Sequence, residues 1–223
     1  PDAPPQESKK SLVLRMDCPV CGLERCQNQR LCRAKMAVPD DQTVMRRSCI
    51  PSKFWGADEE DFNCEPALRD IFADPFASLF FFGPTGSGKT HAAAAFVKAH
   101  SWVVFYARPS ADRWLIQRTT GFDYMSEIFR EINDSHARRG DVCAKYSAIP
   151  MLVFDDIMSA KVSEYALAEV CALIDKRIEN KMQTIVTSNL SISEIDAMDS
   201  RLASRLASFK DFKFDHEDRR LSQ

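Results

Sequence analysis

Eight consecutive residues can do chemistry together: Gly83, Pro84, Thr85, Gly86, Ser87, Gly88, Lys89 and Thr90. A triphosphate carries many negative oxygens, so holding it takes many donors converging on a small volume. Gly83, Gly86 and Gly88 let a backbone turn tightly and approach closely, and they are three of only seven glycines in the chain. The N–H groups of such a loop, with the N-terminus of a following helix, present positive potential to the phosphates. Lys89 adds a point charge at the β- and γ-oxygens, and the Thr90 hydroxyl is a ligand for Mg²⁺. ATP or GTP binding, with magnesium, is the expected chemistry.

Two later segments end in polar groups suited to the same task. Residues 151–154 are apolar and run into Asp155 and Asp156. A buried strand that ends beside the loop lets Asp155 hold the Mg²⁺ through water, and Asp156 is placed to orient or deprotonate the attacking water. An acidic turn after a core strand is the alternative, and Lys89 upstream argues against it. Residues 184–187 form another apolar strand that leads into Ser188 and Asn189. The strands of a parallel sheet open on one crevice at their C-terminal ends. Asn189 therefore reaches the attacking water or the γ-phosphate, or else caps a helix starting near Ser191.

Eight cysteines would suit a disulfide scaffold in a short secreted chain. Here Cys18, Cys21, Cys26 and Cys32 crowd together while the rest are scattered. In a reducing compartment that crowding points to metal, and these thiolates could close a tetrahedral Zn²⁺ site. Cys49 and Cys64 are substitute ligands, an Fe–S cluster is a minor alternative, and reduced thiols in an arm are the plain one. A segment of about 20 residues builds no core of its own, so a metal would explain how it folds.

These groups need a scaffold that gathers strand ends. Residues 79–82 read as a buried strand, 89–100 as an Ala-rich helix and 102–106 as the next strand. Helical stretches follow near 111–118 and 124–139, closed by Gly140. Residues 164–180 carry apolar positions at helical spacing (Ala166, Val170, Leu173, Ile174), and 209–214 supply a last strand. Alternating strands and helices predict an α/β fold, a parallel sheet covered on both faces in three layers, over residues 76–223. Upstream, residues 1–11 read as a polar, Pro-rich arm, 12–36 as the cysteine module and 37–75 as an irregular wrap. Pro39, Pro51 and Pro66 punctuate that wrap, and Phe54, Trp55, Phe62 and Phe72 anchor it.

The 223 residues suit one such domain with a small appendage, and 45% apolar with 28% charged residues is ordinary globular composition. No apolar run approaches the roughly 20 residues of a membrane span, so the expectation is a soluble, cytoplasmic protein without membrane contact. Residues 1–50 hold nine Lys/Arg against six Asp/Glu while the net charge is −2. A mildly basic head permits nucleic-acid contact without arguing for it.

Read together, residues 83–91 (the loop plus His91), Leu152 to Ile157, Thr184 to Ser191, Arg201 to Leu206 and Glu217 to Arg220 resemble the DnaC-type helicase loaders and the IstB-type transposition helpers. Both are initiator-clade AAA+ ATPases. The Thr-Ser-Asn-Leu and Ser-Arg-Leu segments are the specific part. The resemblance implies a nucleotide site that includes His91, an arginine finger at Arg205, and Arg219 or Arg220 as a second phosphate sensor. It implies self-association, with a replicative helicase and single-stranded DNA as partners. Two departures matter: Asp156 stands where most AAA+ enzymes carry Glu, which predicts slow hydrolysis, and little sequence follows Arg220 for a full lid domain. The expected function is an ATP-controlled helicase loader in DNA replication. The alternatives are a transposition helper acting on DNA with a transposase, or an ATP-switched adaptor with negligible turnover.

Overall fold

A computed structural model describes residues 39–62, 65–107, 115–158 and 163–215. The elements run α1 (Asp41–Arg47), two 3₁₀ turns (Ser52–Phe54 and Glu59–Phe62), α2 (Pro66–Phe72), β1 (Leu79–Phe82), α3 (Lys89–His100), α4 (Trp102–Ala107), β2 (Ile116–Thr120), α5 (Gly121–Asn133), α6 (Asp141–Ser147), β3 (Met151–Asp155), α7 (Glu164–Glu179), β4 (Gln183–Ser188), α8 (Ile192–Asp196), α9 (Ser200–Leu206) and β5 (Lys210–Lys213). Among the described residues the strands form one five-stranded sheet in the order β2-β3-β4-β1-β5, and every pairing is parallel. The predicted cysteine site (Cys18, Cys21, Cys26, Cys32), Cys64, and Arg219 and Arg220 lie outside the described residues.

Side chains alternate across a strand, and here both faces are buried. Leu79, Phe81, Met151, Val153 and Ile185 pack on one side with Ala92 to Val97 of α3 and with Val44, Phe62 and Phe72 from the segment before β1. Phe80, Leu152, Phe154 and Val186 pack on the other with Tyr124, Tyr146, Leu173, Ile174 and Leu202. Burial on both faces explains why these strands read as continuous apolar runs. The run of small alanines lets α3 lie close on the sheet. Phe62 and Phe72 are buried in the first core, and Phe54 and Trp55 pack against it.

Arg177, fully buried near the end of α7, ties that helix to the segments that enter β3 and β4. Its guanidinium donates to Thr184 Oγ1 at 2.8 Å and to the carbonyls of Tyr146, Ile149 and Gln183 at 2.6 to 2.7 Å. Burial pushes its pKa down to about 9, still well above neutrality, so the cation persists among neutral acceptors.

Four local expectations need correction. Residues 102–106 are helical, not a strand: Ser101 keeps helical dihedrals and carries the chain from α3 into α4. A short apolar run is ambiguous by pattern alone. The place beside β3 goes instead to Ile116–Thr120, where helix was expected over 111–118. The helix expected over 124–139 starts at Gly121 and stops at Asn133, because the Asp134 carboxylate accepts from the His136 N–H at 2.8 Å and turns the chain. Finally, the wrap is more regular than expected, with two short α-helices and two 3₁₀ turns.

Candidate active site

The loop between β1 and α3 sits at the C-terminal edge of the sheet, with β4 and β5 on either side of β1. Gly83 has φ +141° and Gly88 φ +108°. A Cβ on Gly83 would collide with the Phe214 carbonyl, whose own N–H donates to Phe82 at 2.7 Å. Only glycine meets both demands there.

Lys89 opens α3 and is 7% exposed. Its Nζ donates to the carbonyls of Gly83 and Pro84, each at 2.7 Å, and to Asn189 Oδ1 at 3.0 Å. Asn189 in turn donates through Nδ2 to Asp156 Oδ1 at 3.1 Å. The loop lysine and the second acid are thus joined by one amide. The helix-capping alternative for Asn189 does not hold: Ser191 caps α8 with a capping box to Glu194. Asp156 has φ +52°, a left-handed conformation that Asp tolerates better than most residues. That turn lifts its carboxylate out of the strand direction toward Asn189.

Asp155, at the end of β3 and 3% exposed, accepts from Thr90 Oγ1 at 2.9 Å and from Thr187 Oγ1 at 2.6 Å. The Thr187 hydroxyl also accepts the Asp156 N–H at 2.8 Å, so one hydroxyl fixes both acids. Phe154 lies level with Val186, which puts Asp155 beside Thr187. Thr187 was legible in principle from aligning the ends of the two apolar strands. Arg118, on β2, was not: it donates through Nε and Nη2 to Asp155 Oδ2 at 3.0 and 2.5 Å, and reading 111–118 as helix hid it. Gly121 is a further silent requirement, since a Cβ there would come within 2.8 to 2.9 Å of the Asp156 and Ile157 carbonyls.

The remaining expected residues are elsewhere. His91 Nε2 pairs with Asp61 Oδ2 at 2.7 Å, and the ring meets the edges of Phe54 and Phe62, so His91 joins the loop helix to the wrap. Arg205, on α9, pairs through Nε with Asp175 of α7 and donates through Nη1 to the Arg201 carbonyl at 2.9 Å. The Asp175 carboxylate raises the Arg205 pKa.

The donor set fits a nucleotide triphosphate: a glycine-lined loop at a helix N-terminus, a buried lysine, and a buried Ser87 hydroxyl without a partner among the described residues. Among those residues no group of three or more His, Cys, Asp or Glu is placed to hold a metal. The magnesium chemistry open to the site is the kind shared between Thr90, Asp155 and substrate phosphates. Among the described residues no helix is long and apolar enough to cross a membrane.

The sequence profile of the bacterial DnaA ATPase domain matches residues 63–209. The chromosomal replication initiator protein DnaA of Acinetobacter baumannii (strain ATCC 17978) is 27% identical over 146 residues, covering 65% of this chain and 29% of that protein. This chain therefore matches less than a third of that relative's length. Among solved structures, the DnaC helicase loader is similar with a TM-score of 0.55 at 18% identity, over 75% of this chain and 100% of that one. The replication initiator DnaA bound to AMPPCP and single-stranded DNA has a TM-score of 0.52 at 15% identity, over 68% of this chain and 45% of the other. At these identities the likeness to solved structures is one of fold.

Proposed function

Because the chain belongs to the bacterial DnaA ATPase domain family, we propose that it binds ATP with Mg²⁺, hydrolyses it slowly, and acts as an ATP-controlled replication factor that delivers a helicase to DNA. The observation that carries this reading is the chain of contacts Lys89–Asn189–Asp156 beside Thr90–Asp155–Thr187. It gathers the loop and two strand ends into one polar site.

In this reading the backbone amides of residues 83–90 and the Lys89 ammonium hold the phosphates, while Thr90 and Asp155 hold the metal. Bound ATP·Mg²⁺ supplies a phosphoanhydride whose terminal phosphoryl group water can take. Asp156 accepts the proton of that water at its carboxylate. Asn189 holds Asp156 in position and senses the phosphates through Lys89. Arg205 completes the site of a neighbouring copy, adding positive charge where negative charge develops. The shortness of Asp156 relative to Glu favours slow turnover, the behaviour of a switch.

The matches to replication initiators and the fold shared with a helicase loader support this reading over the transposition helper. They also make single-stranded DNA a natural partner, since one relative's structure holds it. The deciding experiment is capture with the intact chain and ATP, followed by Lys89→Ala as the control. Replicative helicase should be retained by the first and lost by the second. Transposase in its place would overturn the assignment.

A further inference from the structure

The buried carboxylate of Asp155 carries a cation of its own. Thr90 and Thr187 donate to Oδ1, and the Arg118 guanidinium takes Oδ2 through Nε at 3.0 Å and Nη2 at 2.5 Å. The pair is sheltered, with side chains 16% and 4% exposed. The backbone that presents Arg118 is fixed from both sides. β2 pairs with β3 along its length, and the Arg118 N–H on the outer edge donates to the Ser48 carbonyl at 2.7 Å. A fork of two charge-assisted bonds to one oxygen is among the stronger contacts a carboxylate makes. It occupies the same anion that a magnesium ion needs.

We propose that Arg118 is a resident counter-ion that competes with Mg²⁺ for Asp155 and so sets how strongly nucleotide binding depends on the metal. This rests on the reading of residues 83–90 as an ATP·Mg²⁺ site. Without metal, Arg118 neutralises Asp155, and the phosphates do not face a bare carboxylate. With metal, the ion must displace or share that guanidinium, which weakens its hold. Arg118 is a positioning residue: it acts through Asp155 and need not touch the nucleotide.

The test measures binding of a fluorescent ATP analogue to wild type, Arg118→Gln and Arg118→Lys across a Mg²⁺ titration that includes excess EDTA. Circular dichroism checks that each variant is folded. For Arg118→Gln the metal-free affinity should fall and the Mg²⁺ concentration for half-saturation should also fall. Each should change by about tenfold, the scale of losing a hydrogen bond between charged groups. Arg118→Lys, which keeps the charge without the fork, should lie between. A structural tie between β2 and β3 would lower melting temperature and leave both binding parameters alone, which overturns the proposal. So does a rise in the Mg²⁺ requirement, because Arg118 would then be supporting the metal site. Binding by all three proteins with one shared metal dependence refutes the role of Arg118 and spares the nucleotide site. No binding by any of them refutes both.

Discussion

Lys89 and Asp156 are joined through one Asn189 amide, yet they answer to different steps. Lys89→Ala removes the only side-chain cation that the loop itself carries, so ATP affinity should drop at least about 30-fold, the scale of a charged hydrogen bond lost from a buried site. Asp156→Asn keeps the bond geometry with Asn189 available and removes the base. It should leave ATP·Mg²⁺ binding near wild type and cut turnover by about 10²- to 10⁴-fold. Isothermal titration with a slowly hydrolysed analogue, set beside phosphate release, separates the two. If Asp156→Asn loses binding as well, Asp156 serves the metal and its division of labour with Asp155 is wrong. Asn189 itself illustrates how local and tertiary readings compete. Its position before a helix suited a cap, and Ser191 took that task because its hydroxyl and the Glu194 carboxylate complete a reciprocal box.

At the scale of elements, α3 is the beam between the phosphate loop and the wrap. Lys98 bonds Asp58 at 2.9 Å, His91 bonds Asp61 at 2.7 Å, and His100 meets Glu59 at 3.1 Å. The hydrogen bond from Lys98 holds the Asp58 carboxyl below its ordinary value of 3.8, and that from His91 does the same for Asp61. A depressed carboxylate stabilises the fold above its unfolded value, and the contribution is lost as pH falls through the folded value. These pairs are partly solvated, so the double variant Asp58→Asn/Asp61→Asn should cost only about 1 kcal/mol at pH 7. The gap in melting temperature between it and wild type should close as pH drops below 3.8. A gap that persists unchanged in acid would show that the ionised pairs do not hold the wrap.

At the scale of the whole molecule, the question is whether the site is complete in one copy. Arg205 is engaged with Asp175 on its own chain, on the helical layer formed by α7 and α9. In the proposed assembly it must leave or share that partner to reach a neighbour. Turnover should then rise with protein concentration or with added DNA. Arg205→Ala should bind ATP nearly as wild type, since the charge acts mainly in the transition state, and lose about 10³-fold in rate. Mixing Arg205→Ala with Lys89→Ala should restore some turnover, the first lending an intact nucleotide site and the second an intact arginine. Rates independent of concentration, with no rescue, would favour an adaptor with negligible turnover.

Much of this protein was legible in the chain itself. The strand at Leu79–Phe82, the helix at Lys89–His100 and the strand at Met151–Asp155 follow from apolar runs bounded by glycines or acids, because a strand buried on both faces must be apolar throughout. The phosphate loop was legible because its glycines answer a local backbone demand. What the sequence left open was decided by neighbours. The edge place beside β3 went to Ile116–Thr120 and not to residues 102–106, since a short apolar run packs equally well as helix or strand until a partner selects it. Arg118 and Thr187 became parts of the site only when the register set them against Asp155, a contact across 37 residues in one case and 32 in the other. Local pattern carries a residue's conformational preference, whereas the partner of a charged side chain is set by which strand lies next to which.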